Sequence, residues 1–224
     1  MYRCCGIEVF VFSKEQNLPA TKPLTSRRKP KQERARLTQQ AILDAFVRLL
    51  LEKGYAKLTI RDIAGLAGVG LGTVYEHFPG KKAIAANCIH QRFKGVAVEA
   101  EAVIAANTGK ALPQMIDAML DLFVALHRVK PEEWSALIFL ERQVSDEAAW
   151  RVLYEHFVDL WRRALLAAEG GEGDAAYVVH AAVYGYLYQT LMCRPEAVAT
   201  ALFRQQLGAL AHAAVNGQMA GQTG

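Results

Sequence analysis

Thr59-Ile-Arg-Asp-Ile-Ala-Gly-Leu-Ala-Gly-Val-Gly-Leu-Gly-Thr-Val-Tyr-Glu-His-Phe78, followed by Pro79-Gly80-Lys81-Lys82, decides how this chain is read. Thr59 with Asp62 three residues on fits a capping pair that satisfies free amides at a helix start. Ile63 and Leu66 then give that helix one apolar side, and Ala67-Gly68 supplies a turn. A second short helix follows from about Gly70. Its Val74 and Phe78 are four apart and share an inward face. At about 100° per residue the opposite side carries Gly72 and Glu76, with Thr73 and Tyr75 beside them. Such a face is small and polar, as a helix lying in a DNA major groove needs to be.

The rest of the chain supports this from the outside in. Its 224 residues and 52% hydrophobic composition allow a substantial core and one or two domains. The net charge of +4 hides a division. Residues 22–94 hold 15 Lys/Arg against 5 Asp/Glu, whereas residues 95–224 hold 9 against 15. Phosphates attract Lys and Arg whatever the base sequence, so the first half has the charge that DNA affinity requires. A solvated basic face without a partner is the bland alternative. Four cysteines, Cys4, Cys5, Cys88 and Cys193, have no spacing suited to zinc or a disulfide framework, which fits a reducing cytoplasm. No metal or cofactor is called for. The first dozen residues only mildly resemble a secretion signal, since Glu8 interrupts a short run, and no membrane span is evident.

Helical periodicity from about Gln32 onward predicts an all-α fold of nine or ten helices. Helix one is expected from Lys31 to Glu52, burying Ala41, Ile42, Ala45, Phe46, Leu49 and Leu50 and ending at Gly54. Ile63, Ala64, Val69 and Phe78 are assigned to the core of the head. A long helix is expected from Lys81 to Asn107, then segments bounded by Pro131, Ser145-Asp146 and Gly170–Gly173, and two last helices at Asp174–Cys193 and Glu196–Asn216. The domain division that follows is an extension over 1–26, a DNA-binding head over 27–80, a helical body over 81–216 and a tail over 217–224. The extension reads as disordered or as an upstream start. The basic run Arg27–Lys31 is a solvated tail or an arm for the minor groove.

Glycine after helix one, Thr59 opening helix two, the Ile63-Ala64 step, Ala67-Gly68-Val69 at the turn, and Gly72-Thr73-Val74-Tyr75 with His77-Phe78 and Lys81 together resemble the tetracycline-repressor (TetR) family. The match covers about fifty residues. The resemblance implies an all-helical homodimer whose heads bind a palindromic operator and whose bodies bind a small effector. It places Thr59 where amide and hydroxyl hold a phosphate, a site helix amino termini favour. It sets Thr73 and Tyr75 toward the groove, His77 and Lys81 toward the backbone, and Gly72 where the helix approaches closely. Arg61 and Glu76 join this candidate interface. Two positions depart from the family: Gly70 replaces a common serine, and Leu71 is apolar where many members are polar, suited at most to a thymine methyl. Packing in the head is the alternative role for Tyr75, and capping the alternative for His77.

For the body, segments 147–168 and 174–193 read as an antiparallel hairpin. Ala175, Ala176, Ala181, Ala182 and Gly185 offer a small surface for a four-helix interface between protomers, or for packing inside one subunit. Met119, Phe123, His127, Trp134, Phe139, Arg142 and Tyr184 are the candidate effector-binding residues, suited to a lipophilic or aromatic compound with His127 or Arg142 as polar anchors. An enzyme reading fails, because Gly68-Val-Gly-Leu-Gly72 has no preceding strand and no following Gly-Lys-Ser/Thr. A helical adaptor that binds protein through the acidic body remains as the alternative, and it leaves the basic head unexplained.

Overall fold

The computed structural model describes residues 28–221, with side chains described over 31–217. The expected extension 1–26 with Cys4 and Cys5, Arg27 of the basic run, and side chains at the end of the expected tail lie outside the described residues. Among the described residues nine α-helices follow one another: α1 Arg28–Lys57, α2 Ile60–Ala67, α3 Leu71–His77, α4 Lys81–Asn107, α5 Leu112–Arg128, α6 Pro131–Val144, α7 Glu147–Ala167, α8 Ala176–Cys193 and α9 Ala201–Gly221. Among the described residues the only β-type pairing is an isolated bridge between Ala111 and Glu169. The all-α expectation holds. Backbone contacts divide the chain into one unit up to Asn87 and another from Cys88, so the division falls inside α4, beyond the expected boundary at residue 80.

In the first unit α1 begins at Arg28 rather than Lys31, and its regular path is interrupted at Gly54 (φ 74°) where an end was expected. Ile42, Ala45, Phe46, Leu49 and Leu50 are buried, as are Ile63, Ala64, Val74 and Phe78. Ala41 and Val69 are only half-buried. Leu66 departs further, being 40% exposed. Helix α2 buries the side centred between Ile63 and Ala64, and at about 100° per residue Leu66 is carried well away from that centre. Gly68 closes α2 in the left-handed region (φ 68°). Its N–H reaches the Gly65 carbonyl and the Val69 N–H reaches the Ala64 carbonyl, a Schellman closure that satisfies two orphan acceptors.

In the second unit α5 buries a stripe at helical spacing, Met115, Ile116, Met119, Leu120, Phe123, Val124 and His127. Helix α8 packs against α6, α7 and α9. Asp146 caps α7 through the Ala149 N–H at 2.8 Å. The α4–α5 and α7–α8 corners are tied by Gly109 N–H to the Ala167 carbonyl and Glu169 N–H to the Lys110 carbonyl, both 2.8 Å. At Gly171 a Cβ would stand 2.0 Å from the Leu165 carbonyl oxygen, so the close turn there demands glycine. The stretch expected to begin the last helix at Glu196 forms a separate 3-10 turn, Pro195–Ala199, and α9 starts at Ala201. The Thr200 hydroxyl accepts the Phe203 N–H at 3.1 Å, which marks the new helix start. Ala175 and Ala176 are buried within the chain, so they supply no surface to a partner, while Ala181, Ala182 and Gly185 are half-buried.

Candidate nucleic-acid interface and inner cavity

The first unit presents a capped helix, a tight turn and a short exposed helix in succession. The Thr59 hydroxyl accepts the Asp62 N–H at 3.2 Å, and an Asp62 carboxylate oxygen accepts the Thr59 N–H at 3.0 Å. Hydrogen bonds from Thr59, with Lys53 nearby, hold the Asp62 carboxyl down at about 2. Thr59 is therefore occupied in the cap but exposed. Arg61 points to solvent from the first turn of α2. Helix α3 buries Val74 and Phe78, while Leu71, Gly72, Tyr75 and Glu76 are exposed and Thr73 and His77 half-exposed. Tyr75 is 52% accessible. Gly70 starts this helix without a side-chain cap. A Cβ at Gly72 would meet nothing within 4 Å, so packing inside the chain does not require glycine there.

Lys81 stands apart from the other candidates. Its ammonium donates to the Tyr55 and Leu58 carbonyls at 2.8 and 3.0 Å and lies 4.4 Å from the Tyr55 ring centroid. It thereby satisfies carbonyls at the end of α1. Arg36, Arg48 and Lys53 are paired with Glu33, Glu52 and Asp62. Lys31, Arg34, Lys57, Arg61 and Lys82 are exposed and carry no ion pair among the described residues. No helix among the described residues is long and apolar enough to cross a membrane.

The second unit contains two small adjoining cavities of ≈ 20 and ≈ 30 Å³. They share Phe157, His180, Tyr184 and Tyr188. Of the candidate effector residues, Phe123, His127 and Tyr184 line this space. Met119 is fully buried core. Trp134 stacks behind His127 at 4.1 Å between ring centroids and donates its indole N–H to the Leu126 carbonyl. Phe139 is 48% exposed and Arg142 is also exposed, so neither lies in the cavity wall. The wall also includes Glu141, Trp150, Tyr154, His180 and Tyr188, which the sequence reading missed. One signal was present: His180, Tyr184 and Tyr188 recur every four residues and so form one stripe of α8.

Burial sets the charge of this space. The His127 Nδ1–H donates to the Phe123 carbonyl at 2.7 Å. Burial chiefly pushes the His127 imidazole down to about 4, with Arg92 adding to the effect, and burial does the same to His180. Both rings are neutral near pH 7. Because a buried histidine takes its proton later than an unfolded one, the unfolded chain binds more protons between about pH 6.5 and 4, and stability falls as pH drops through that window. Each ring contributes up to about 1.4 kcal/mol per pH unit. Urea unfolding at pH 7 and pH 5 should show this loss, and His127→Gln should reduce the difference; an unchanged pH dependence would rule out His127 as its source.

Residues 42–88 match the family model of the bacterial regulatory proteins, tetR family. The chain is 30% identical over 121 residues to an HTH-type transcriptional regulator of Staphylococcus aureus, a match covering 53% of this chain and 61% of that relative. The matched region thus spans under two thirds of that relative's length. The fatty acid degradation regulator FadR from Bacillus halodurans superposes with a TM-score of 0.62 at 17% identity, covering 80% of this chain and 98% of that one. The triclosan complex of SmeT, a repressor from Stenotrophomonas maltophilia, superposes with a TM-score of 0.58 at 22% identity, covering 80% and 90%. In sequence, residues 42–88 of this chain are similar to the tetR family of bacterial regulatory proteins, and in fold 80% of the chain is similar to these solved regulators.

Proposed function

We propose that this chain is a sequence-specific DNA-binding transcriptional regulator, acting in the cytoplasm as a homodimeric repressor at a palindromic operator and released by a small lipophilic or aromatic effector. The observation that carries the reading is the face of α3: Val74 and Phe78 are buried, while Leu71, Gly72 and Tyr75 stand free behind a tightly closed turn. Thr59, Arg61, Thr73, Glu76 and His77 complete the surface. Open space at Gly72 supports a close approach by something outside the chain. The two carbonyl bonds of Lys81 favour a supporting role for it rather than a phosphate contact. An adaptor function would leave this polar face without a task.

A symmetric pair presents two such helices about one duplex turn apart, roughly 34 Å. Tyr177 and Val178 on α8 and Leu202 and Leu210 on α9 are exposed apolar side chains that suit a face between protomers, in place of the buried Ala175 and Ala176. An interface of this kind covers on the order of 2,000 Å². The aromatic cavity supports the effector, and the complex of SmeT with triclosan shows one fold relative holding such a compound. Helix α4 belongs to both units and provides a continuous covalent path between them. Release follows if the effector binds better to the state with weak operator affinity.

Tyr75→Ala should weaken operator binding by about 1–3 kcal/mol, about 5- to 150-fold, with unfolding and dimerisation unchanged. Fluorescence anisotropy on a selected duplex measures the first and circular dichroism the second. Unaltered DNA binding would remove Tyr75 from the interface.

A further inference from the structure

Helix α3 reads Leu71-Gly72-Thr73-Val74-Tyr75-Glu76-His77, with no Arg, Lys, Asn or Gln among its residues. Those four side chains make the paired hydrogen bonds by which guanine and adenine are most often recognised in a major groove. Glu76, exposed one turn beyond Gly72, offers only acceptors when ionised, and guanine also presents only acceptors on that edge. This helix is therefore poorly equipped to read guanine.

What the face offers instead is a shaped apolar gap. Leu71 is 41% exposed and Thr73 is half-exposed. At about 100° per residue the two side chains stand on either side of Gly72. A Cβ built at Gly72 would meet nothing within 4 Å, so the space between them is open to whatever lies outside the chain. The result is a notch with a glycine floor and walls that end in methyl groups. A polar group gains nothing from such walls, whereas a methyl group leaves water on entering. Of the four bases only thymine carries a methyl into the major groove, at C5. Resting on the DNA-binding reading above, we propose that Gly72 is a specificity-determining position, whose notch between Leu71 and Thr73 takes the C5-methyl of one thymine in each half-site.

The test uses the full chain and the duplex that it selects from a random pool. Each thymine of the half-sites is replaced in turn, symmetrically, by deoxyuridine, which lacks only that methyl, and affinity is read by fluorescence anisotropy. One symmetric pair should stand out, with a loss of about fourfold per half-site and so about fifteenfold for the two together. Gly72→Ala places a methyl on the protein where the base had supplied it. The added carbon meets no atom of the chain, so circular dichroism should show an unchanged fold. This variant should bind the thymine duplex about fivefold or more weakly than the unaltered chain does. It should also bind the deoxyuridine duplex at least as well as the thymine duplex. Leu71→Ala removes one wall from an exposed position and should shrink the thymine preference of the unaltered chain, which supplies a second arm if Gly72→Ala disturbs folding. A selected duplex in which no thymine pair costs more than about twofold on replacement overturns the proposal and leaves sequence-specific binding standing. A folded Gly72→Ala chain that keeps the full preference for thymine over deoxyuridine overturns it as well. Failure to select any duplex removes the DNA-reading function itself, and the notch with it.

Discussion

Raising monovalent salt from about 50 to about 200 mM is expected to weaken the chain's hold on duplex DNA by on the order of 10³–10⁵-fold. The expectation comes from the state of the basic side chains rather than from net charge. Three cations of the first unit are committed to internal ion pairs, and Lys81 to backbone carbonyls. Among the described side chains of this unit Lys31, Arg34, Lys57, Arg61 and Lys82 remain exposed, five in each chain and ten in the proposed symmetric pair. If about six to ten phosphates are neutralised, the logarithm of affinity falls against the logarithm of salt with a slope of about −5 to −9. Anisotropy titrations across that range measure it. A slope shallower than about −2 would mean that these side chains do not meet phosphate.

Phe46→Ala should destabilise the protein by about 3–5 kcal/mol and abolish DNA binding with it. Phe46 is fully buried on α1, its ring edge-on to Tyr55 at 6.3 Å between centroids, and α1 is the helix against which α2 packs. Truncation leaves a cavity that neighbours fill only in part, and one such cost is a large share of ordinary domain stability. Tyr75 is the contrasting ring. It is half exposed, so its loss should leave folding intact and act on DNA affinity alone. Denaturant unfolding of Phe46→Ala, followed by circular dichroism, gives the stability change; a loss below about 1 kcal/mol would show that the head repacks without this ring.

Helix positions marked by local chemistry were legible in the sequence. Helix α4 spans Lys81–Asn107 as expected, and the Thr59–Asp62 cap and the Gly68 turn stand where their residue types placed them. These signals need only neighbours along the chain. The start of α9 was misplaced because Pro195 begins a 3-10 turn before Thr200 caps the true helix. The cavity was read poorly for a different reason. On α6 the sequence reading chose Trp134, Phe139 and Arg142, but the inward stripe is Trp134, Ile138 and Glu141. One residue is about 100° of rotation, enough to exchange the wall of a cavity for open solvent. Which side turns inward is set by the helices packed around α6, and periodicity within one segment does not contain that information. Glu141 was hidden for the same reason, since a glutamate in an amphipathic helix ordinarily marks the wet side.

In the proposed function the exposed face of α3, presented twice, reads a duplex sequence. Selection of random duplexes by the purified full chain at near-physiological salt, followed by competition of the enriched duplex against bulk DNA, tests it most directly. An enriched inverted repeat is expected, bound on the order of 10³-fold or more tightly than bulk competitor. Recovery of no preferred sequence, with enriched and bulk DNA competing equally, would contradict it.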